Sequence, residues 1–304
     1  MAESRFGRRR FLTLAAAAGA ATVGATLLGE PAAASGVDYA ALKRALNGPL
    51  LRPGDAGYPA AAKPYNAALG VRRPAAIAKV AGVDDVRTCV KRVRGHGVPL
   101  AARGGGHSYA GYSTPNSGVV VDLSALKNIT VRSDGTAVVG AGCRLIDVYS
   151  ALAAHGRALP AGSCPTVGVA GSTLGGGIGV VARAYGLTCD HLKAATVVTA
   201  DGALHTVDGN HDADLFWALR GGGGGNGGIV TSFTFGTVPA PTVTVFSLHF
   251  PATRTAKVLR SWSAWMDAAP NQLSSLCAVT AAATPTRRAE PVPYAKPESA
   301  ARRS

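Results

Sequence analysis

Three glycine-rich segments contain the side chains of this sequence that are best suited to chemistry. They span residues 103–113, 162–179 and 220–228. In the first segment three glycines directly precede His107, and glycine backbones can take positive φ angles and turn several N–H groups toward one anion. The pattern favours a site for a pyrophosphate-like group, to which Arg103 adds charge and Ser108 a hydrogen bond. The alternative is a tight turn between strands in which His107 has only a structural role.

Neither of the common glycine-rich nucleotide motifs accounts for these segments. The P-loop pattern Gly-x-x-x-x-Gly-Lys-Ser/Thr is absent. The Rossmann fingerprint also fails, because no acidic residue follows the first segment at the required distance on a suitable second strand. Linkers would be rich in serine and would not be flanked by regular structure. The segments are therefore interpreted as loops of a folded domain.

Strands and helices mix without strict alternation around these loops, which predicts an α+β fold in two halves. Residues 84–93 have apolar side chains at helical spacing, including Cys89, with Asp84 as the expected N-cap and a solvated basic face opposite. Asp212 is the expected cap of a later helix. The remaining elements are predicted as a short helix near residue 39, helices at Leu145–Ala154 and 213–219, and strands at Ala75–Val80, Pro99–Arg103, Val119–Leu123, 129–132, 136–140, Ala194–Thr199, Leu204–Val207 and Ile229–Phe235.

The composition excludes several classes of protein. Of the 304 residues, 47% are hydrophobic and 16% are charged, which rules out intrinsic disorder for most of the chain. The net charge of +14 is dispersed, which favours anionic ligands, and no zinc finger or RNA-recognition signature supports a nucleic-acid partner. The five cysteines form no Cys-x-x-Cys pair, so no metal site is expected, and their odd number leaves at least one thiol without an intrachain disulfide.

The N-terminal residues 1–34 resemble a twin-arginine export signal. Arg8 and Arg9 precede an alanine-rich run, and Ala32-Ala33-Ala34 provide small residues for cleavage. The implied partner is the twin-arginine export machinery, and the implied location is secreted, periplasmic or cell-surface, with no stable membrane insertion after cleavage. A membrane anchor is the alternative, although the run is short and dominated by Ala, Gly and Thr. Proteins exported by this route cross the membrane folded, commonly with a cofactor already inserted.

Taken together, the three segments resemble the PCMH-type FAD-binding domain of the vanillyl-alcohol oxidase superfamily, and within it the berberine-bridge-enzyme-like FAD-linked oxidases. The resemblance covers residues 73–241 and implies two α+β subdomains with FAD between them. In that family the histidine of the first loop is bonded to the flavin 8α-methyl and the cysteine of the second segment to flavin C6. The matching positions are His107 and Cys164, so the resemblance implies bicovalent FAD. The cofactor-binding positions that it implies are Arg103, Gly104, Gly105, Gly106, His107, Ser108, Gly111, Tyr112, Cys164, Val167, Gly168, Gly171, Ser172, Gly176, Gly177, Gly179, Asn226, Ile229 and Val230.

The resemblance implies an oxidase. Two positions depart from the family pattern, and a third bears on the reaction with oxygen. Gly227 stands where the family usually has an aromatic residue, and Ser172 where plant members tend to have a histidine. Val167 matches a position at which valine is permissive for oxygen, which favours an oxidase over a dehydrogenase. The expected reaction transfers a hydride from an alcohol, sugar or secondary-metabolite C–H to FAD, which oxygen then reoxidises.

The rest of the chain is expected to flank this domain. Residues 35–72 form an N-terminal lead-in, and 242–279 the start of an incomplete antiparallel-sheet substrate domain. There Phe246, Leu248 and Phe250 alternate as on one face of a strand, before a helix with a Trp262 and Trp265 stripe. Residues 280–304 are expected to be a disordered or frameshifted tail.

The sequence leaves three functions open. The first is an exported FAD oxidase and the second a truncated flavin-binding remnant without turnover. The third is a reductase of the same superfamily with noncovalent FAD, against which Cys164 argues. No catalytic residue is assigned, because the family's substrate groups and catalytic base come from parts that this chain lacks. We expect the chain itself to be poorly soluble and to show little substrate-driven flavin reduction.

Overall fold

The structure is a computed structural model that describes residues 36–280. The proposed export signal, with Arg8 and Arg9, and the tail beyond residue 280 lie outside the described residues. The described residues divide into two compact units, one of residues 36–244 with Asn271–Ser274 and one of Val245–Pro270 with the residues from Ser275 on. The domain boundaries inferred from the sequence stay predictions.

The first half of the larger unit is a mainly parallel sheet. Its elements are α1 (Tyr39–Ala45), β1 (Leu50–Leu51), α2 (Tyr58–Ala62), a 3₁₀ turn (Ala67–Leu69), β2 (Ala76–Lys79), α3 (Val83–Val93), β3 (Leu100–Arg103) and β4 (Val119–Asp122). The strand order is β1-β2-β4-β3, with β2, β4 and β3 parallel and β1 antiparallel to β2. The strand, helix and strand predicted at Ala75–Val80, 84–93 and Pro99–Arg103 are confirmed as β2, α3 and β3.

Both faces of this sheet are covered, which explains why its strands are continuously apolar. Ile77 and Val120 are fully buried and cluster with Tyr58 of α2. Val119 belongs to the main core with α3, whose Cys89 is fully buried as predicted. The sheet is therefore a rigid base for the loops that leave its carboxyl edge.

The second half is an antiparallel sheet flanked by short helices. Its elements are β5 (Ile129–Val131), β6 (Thr136–Gly140), α4 (Leu145–Ala153), β7 (Arg157–Ala158), α5 (Val169–Leu174), α6 (Ala182–Tyr185), a 3₁₀ turn (Thr188–His191), β8 (Leu192–Val198), β9 (Leu204–Asp208), α7 (Ala213–Leu219), β10 (Ile229–Gly236) and β11 (Val238–Pro239). The five-stranded order is β5-β6-β10-β8-β9, while β7 and β11 pair separately. Gly135 and Gly202 take φ angles of 81° and 80° in the turns that join β5 to β6 and β8 to β9. The mixed α+β class is confirmed.

The two halves share one core and also meet through the basic face of α3. Arg87 Nε donates to Gly202 O at 3.3 Å, and Arg94 Nη1 donates to Asp201 O at 3.0 Å. The expectation that this face is simply solvated is therefore wrong for these two residues. Their guanidinium groups reach the turn between β8 and β9 and satisfy its carbonyls.

Both helix caps inferred from the sequence need correction. Gly82, not Asp84, is the N-cap of α3, and Asp84 lies in the first turn, 3.4 Å from Arg87. Asp212 does precede α7, but it has a left-handed φ of 49° and makes no side-chain cap. Its carboxylate instead lies 3.0 Å from His205 Nδ1 on β9. A tertiary partner has replaced the local capping bond in this case.

In the described part of the smaller unit, α8 (Thr255–Ala268) is preceded by a 3₁₀ turn (Ala252–Arg254). The helix confirms the predicted stripe, and Trp262 Nε1 donates to Ser275 Oγ at 3.0 Å. The strand predicted for Phe246 to Phe250 is wrong, because these residues form neither helix nor strand and pair with no described strand. An isolated strand has no ladder hydrogen bonds to stabilise it. No helix in the described range is long and apolar enough to cross a membrane.

Candidate functional site

The first glycine-rich loop leaves the carboxyl edge of the parallel sheet and is anchored there by an ion pair. Arg103 ends β3 and lies in register with Asp122, which ends β4. The Arg103 guanidinium donates to Asp122 Oδ2 at 2.7 Å and also to Ala61 O, and both side chains are buried. Burial alone would raise the pKa of Asp122, but the hydrogen bond and charge of Arg103 lower it below its ordinary value. Arg103 thus fixes the start of the loop, and its role toward a cofactor stays a prediction.

His107 is held from two sides. Its ring stacks on Tyr65 of the lead-in, with centroids 3.6 Å apart and 20° between the planes. Its Nε2 lies 3.0 Å from Thr166 Oγ1 in the second glycine-rich segment. Burial lowers the pKa of His107, and the positive charge of Arg144 lowers it further. The imidazole is therefore oriented and predominantly neutral near pH 7.

Cys164 contacts the hydroxyl of the same threonine. Its Sγ is 3.7 Å from Thr166 Oγ1, and the side chain is half-exposed. The hydrogen bond from the Thr166 hydroxyl, with further bonds from the Thr166 and Val167 amides, lowers the pKa of the Cys164 thiol. The remaining cysteines, Cys89, Cys143, Cys189 and Cys277, are also free thiols. His107 and Cys164, which are 57 positions apart in the sequence, thus share one hydroxyl.

The two loops can come this close because their backbones cross at two glycines. A Cβ atom added to Gly105 would lie 2.2 Å from Gly168 N, and one added to Gly168 would lie 2.2 Å from Gly105 N. Neither position has room for a side chain. The second loop is further fixed by α4, since Leu145 N donates to Val167 O at 2.9 Å and Ile146 N to Pro165 O at 3.1 Å.

The third segment reaches the second one as well. Gly223 N donates to Leu174 O at 2.7 Å, at the end of α5. Asn226 Nδ2 donates to Gly222 O at 2.8 Å within its own loop. Ile229 and Val230 begin β10 with buried side chains. The structure therefore brings all three glycine-rich segments together in the larger unit.

The other predicted positions shape the loops through their backbones. Ser108 Oγ accepts from Tyr112 N at 3.1 Å, and the Tyr112 ring is exposed. Gly104 packs against Ala141 O and Ala170, and Gly179 against Ala161 O. Positive φ angles occur at Gly106, Gly111, Gly176 and Gly177. Gly171 and Ser172 lie in α5, where Gly171 faces open space. Contacts of these residues with a cofactor stay predictions.

The glycine at position 227, unusual for the family pattern, has a structural explanation. A Cβ atom at Gly227 would lie 2.8 Å from Leu215 Cδ1 and 3.4 Å from Leu219 Cδ2, both on α7. The leucines of α7 already occupy the space beside this backbone. An aromatic side chain here would require the side chains of Leu215 and Leu219 to move.

Sequence reasoning missed three residues of this site. Thr166 lies inside the second segment, between Cys164 and Val167, so its position beside them was a usable signal. Tyr65 and Asp122 come from the lead-in and from β4, and no sequence pattern links either to the first loop. Among residues 36–280 no group of three or more His, Cys, Asp or Glu side chains could hold a metal ion.

This loop geometry on a two-half α+β scaffold corresponds to a known class of domain. Residues 74–208 match the FAD binding domain family. This part of the molecule is a PCMH-type FAD-binding domain, and the chain is similar to proteins described as FAD-linked oxidoreductases, the berberine-bridge-enzyme-like proteins among them.

Individual relatives agree with this assignment. The chain is 42% identical over 238 residues to the uncharacterized FAD-linked oxidoreductase YgaK of Bacillus subtilis, a match that covers 77% of this chain and 52% of that protein. The solved structure of BBE-like 1 from Physcomitrella patens aligns with a TM-score of 0.63 at 37% identity, covering 66% of this chain and 44% of that one. Glucooligosaccharide oxidase of Acremonium strictum, whose structure is described with a 6-S-cysteinyl, 8α-N1-histidyl FAD, aligns with a TM-score of 0.63 at 36% identity, covering 66% and 42%. The chain spans about half the length of these relatives.

Proposed function

We propose that this chain is the FAD-binding part of an exported oxidase whose FAD is bonded covalently to His107 and Cys164. The observation that carries the proposal is the shared hydroxyl of Thr166, which brings an imidazole and a thiol from two separate loops to one place. The sugar oxidase among the similar structures supports a sugar hydroxyl carbon as the substrate position, with other alcohols and secondary metabolites as further members of the class.

The residues present fit a doubly linked flavin. Two nucleophiles are needed, and both His107 and Cys164 have pKa values below the ordinary ones, which favours a neutral imidazole and raises the thiolate fraction. Among residues 36–280, Nδ1 of His107 has no hydrogen-bond partner, whereas Nε2 is engaged by Thr166. N1 of an imidazole is Nδ1, the atom that links FAD in the glucooligosaccharide oxidase. Nδ1 of His107 is therefore the ring nitrogen that would bond to the flavin.

The residues around the proposed site would position the flavin. The chemistry that FAD would supply when bound is hydride acceptance from a substrate carbon and electron transfer to oxygen. His107 and Cys164 hold the ring, Tyr65 keeps the imidazole oriented, and the Arg103–Asp122 pair fixes the loop that carries His107. The glycine backbones of the three segments provide N–H groups for the pyrophosphate. No catalytic base is assigned to this chain.

The proposal predicts flavin that survives denaturation. Protein precipitated with acid should keep its yellow flavin, and the intact mass should exceed that of the polypeptide by one FAD. Changing both His107→Ala and Cys164→Ala should release all flavin on denaturation, because no covalent bond then holds it. Changing Cys277→Ala, another partly exposed thiol, is the matched control and should leave the added mass unchanged. Wild-type protein that loses all its flavin on denaturation would refute the covalent assignment.

The competing function is flavin binding without turnover. Phe246, Leu248 and Phe250 of the smaller unit are each more than half exposed and belong to no strand among the described residues. Peroxide release on adding sugars or alcohols distinguishes the two functions. Covalent flavin with no peroxide from any substrate would favour the binding function, and sustained peroxide release would favour the oxidase.

Export through the twin-arginine route is a second part of the proposal. It is supported by Arg8 and Arg9 and by the small residues Ala32-Ala33-Ala34. Changing both Arg8→Lys and Arg9→Lys should leave folded, flavin-loaded precursor in the cytoplasm, as measured by immunoblots of cell fractions. Undiminished export of that double variant would contradict this route.

A further inference from the structure

The hydroxyl of Thr166 occupies a position between two nucleophiles. His107 Nε2 lies 3.0 Å and Cys164 Sγ 3.7 Å from this one oxygen. We propose that Thr166 is the positioning residue for flavin attachment, which presents His107 through Nδ1 and Cys164 as a thiolate. This inference rests on the proposed covalent FAD site and adds a third residue to it.

The hydrogen-bonding capacity of a hydroxyl determines the arrangement. A threonine hydroxyl donates one hydrogen and accepts others. When Nε2–H donates to Oγ1, the lone pair of the neutral imidazole is on Nδ1, and the hydroxyl hydrogen is available to donate to Sγ. One side chain then sets the histidine tautomer and stabilises the thiolate at the same time.

The electrostatic surroundings agree with this direction of the hydrogen bonds. Burial and the charge of Arg144 lower the pKa of His107, so the ring is not doubly protonated near neutral pH. The Thr166 hydroxyl and the backbone amides of Thr166 and Val167 lower the pKa of Cys164. Among the described residues, the charged and titratable groups around this network are Arg144, His107, Cys164 and Tyr65, whose ring stacks on His107.

Thr166 is itself held in place. Its carbonyl lies 3.0 Å from where a Cβ of Gly105 would be, at the crossing of the two loops. The flanking carbonyls of Pro165 and Val167 accept from Ile146 N and Leu145 N at the start of α4. The hydroxyl therefore has a defined position relative to both nucleophiles before FAD is linked.

The attachment chemistry balances with oxygen as the oxidant. Each attachment replaces one hydrogen on a flavin carbon with a bond to nitrogen or sulfur, and the side chain also loses one proton. The two electrons and two protons released for each bond reduce one O₂ to hydrogen peroxide. Thr166 is neither consumed nor oxidised, and it supplies only orientation and a hydrogen bond.

The test compares three variants of the full chain expressed with FAD. Thr166→Val keeps the shape and removes the hydroxyl, Thr166→Ser keeps the hydroxyl, and Thr199→Val is the matched control, because the Thr199 hydroxyl bonds only within its own turn, to Asp201 and Ala203. Peptide mapping of denatured protein measures the fraction linked at each site against time. We expect attachment about tenfold slower or worse for Thr166→Val, the usual scale for losing a hydrogen bond to a charged group, and near-normal rates for the other two.

A second readout does not depend on bound flavin. In flavin-free full-length protein, the rate of Cys164 alkylation by iodoacetamide against pH reports the thiolate fraction. Thr166→Val should raise the midpoint pH of Cys164 alkylation by about one pH unit, because it removes the hydroxyl. Thr166→Ser keeps the hydroxyl and should leave that midpoint unchanged. A loss of structure alone would alter the rates without this rescue by serine.

The outcomes separate this inference from the proposed function. If wild-type protein links no flavin, the covalent site fails irrespective of Thr166. If wild-type protein links flavin and Thr166→Val does so equally fast at both residues, the role of Thr166 is overturned and the covalent site stands. An unchanged alkylation midpoint in Thr166→Val would likewise overturn it.

Discussion

Two adjacent aspartates, Asp84 and Asp85, show how individual residues determine the fold of this domain. Asp84 is exposed and lies 3.4 Å from Arg87. Asp85 is buried, and its carboxylate accepts from the backbone N–H groups of Asn47, Gly48 and Ala81 at 2.8 to 2.9 Å. Burial alone would raise the pKa of Asp85, but the hydrogen bonds from these amides lower it below its ordinary value. Asp85 therefore joins the lead-in to the first turn of α3.

Replacing Asp85 should destabilise the domain much more than replacing its neighbour. Asp85→Asn leaves buried amides without their charged acceptor and should lower the free energy of unfolding by roughly 3 kcal/mol. Asp84→Asn, the matched control, should cost less than about 1 kcal/mol because it removes only an exposed pair. Urea unfolding followed by circular dichroism measures both. Equal effects of the two changes would contradict the anchoring role of Asp85.

The same carboxylate predicts an acid-dependent stability. Its pKa is lower in the folded chain than in the unfolded one, so its stabilisation is complete above the unfolded pKa of about 4 and is lost as the pH falls through the folded value. Asp85→Asn should therefore lose less stability than wild-type protein when the pH is lowered from 5 toward 3. Unfolding free energies measured across that range provide the comparison. Parallel curves for the two proteins would show that Asp85 is not the group responsible.

At the scale of elements, the site depends on two loops that cross at Gly105 and Gly168. The parallel sheet positions the first loop, and the start of α4 positions the second. Their close approach is what places His107 beside Thr166. A side chain at the crossing would separate the loops and thereby separate the two attachment residues.

Gly105→Ala tests this crossing. The new methyl group would lie 2.2 Å from Gly168 N, so the loops must move apart, at a cost of about 1–3 kcal/mol. We expect a lower urea midpoint together with a loss of covalent flavin, measured as flavin absorbance in denatured protein. Gly209→Ala is the matched control, since a Cβ there meets nothing within 4 Å, and it should behave as wild type. Normal flavin attachment in Gly105→Ala would show that the crossing does not position the site.

At the scale of the whole molecule, the two units differ in how well their apolar residues are covered. The larger unit has a continuous core that extends across both sheets. In the smaller unit Phe246, Leu248 and Phe250 are 56%, 69% and 57% exposed, and α8 has no buried residue. Exposed apolar clusters of this kind promote association between molecules.

This exposure predicts concentration-dependent self-association. Changing Phe246, Leu248 and Phe250 together to Ser should lower the weight-average mass in light scattering and raise the soluble yield. Val71→Ser with Leu204→Ser, two exposed apolar positions of the larger unit, is the control and should change little. If the triple variant associates as strongly as wild-type protein, these residues are not the cause.

The sequence by itself determined the local features of this protein. Residue periodicity predicted the strands of both sheets except β1, and the loop motifs indicated an FAD-binding domain. The same motifs singled out His107 and Cys164, whose covalent role stays a proposal. Such signals are short-range, because strand alternation, helical spacing and turn residues act within a few positions of the chain. The same locality explains the error at Asp212, whose carboxylate bonds to His205 on β9, and the error at Phe246 to Phe250, which pair with no described strand. The error at Asp84 is itself local, because the helix cap lies two residues earlier, at Gly82.

Only the tertiary structure decided how these features combine. Three contacts join residues that lie 19 to 42 positions apart in the sequence. Tyr65 stacks on His107, Asp122 accepts a hydrogen bond from Arg103, and Asp85 accepts one from Asn47 of the lead-in. Thr166 contacts both His107 and Cys164 only because the two loops cross at Gly105 and Gly168. The physical reason is that these contacts depend on the packing of whole sheets and helices, which places backbones within reach of one another irrespective of their separation in the sequence.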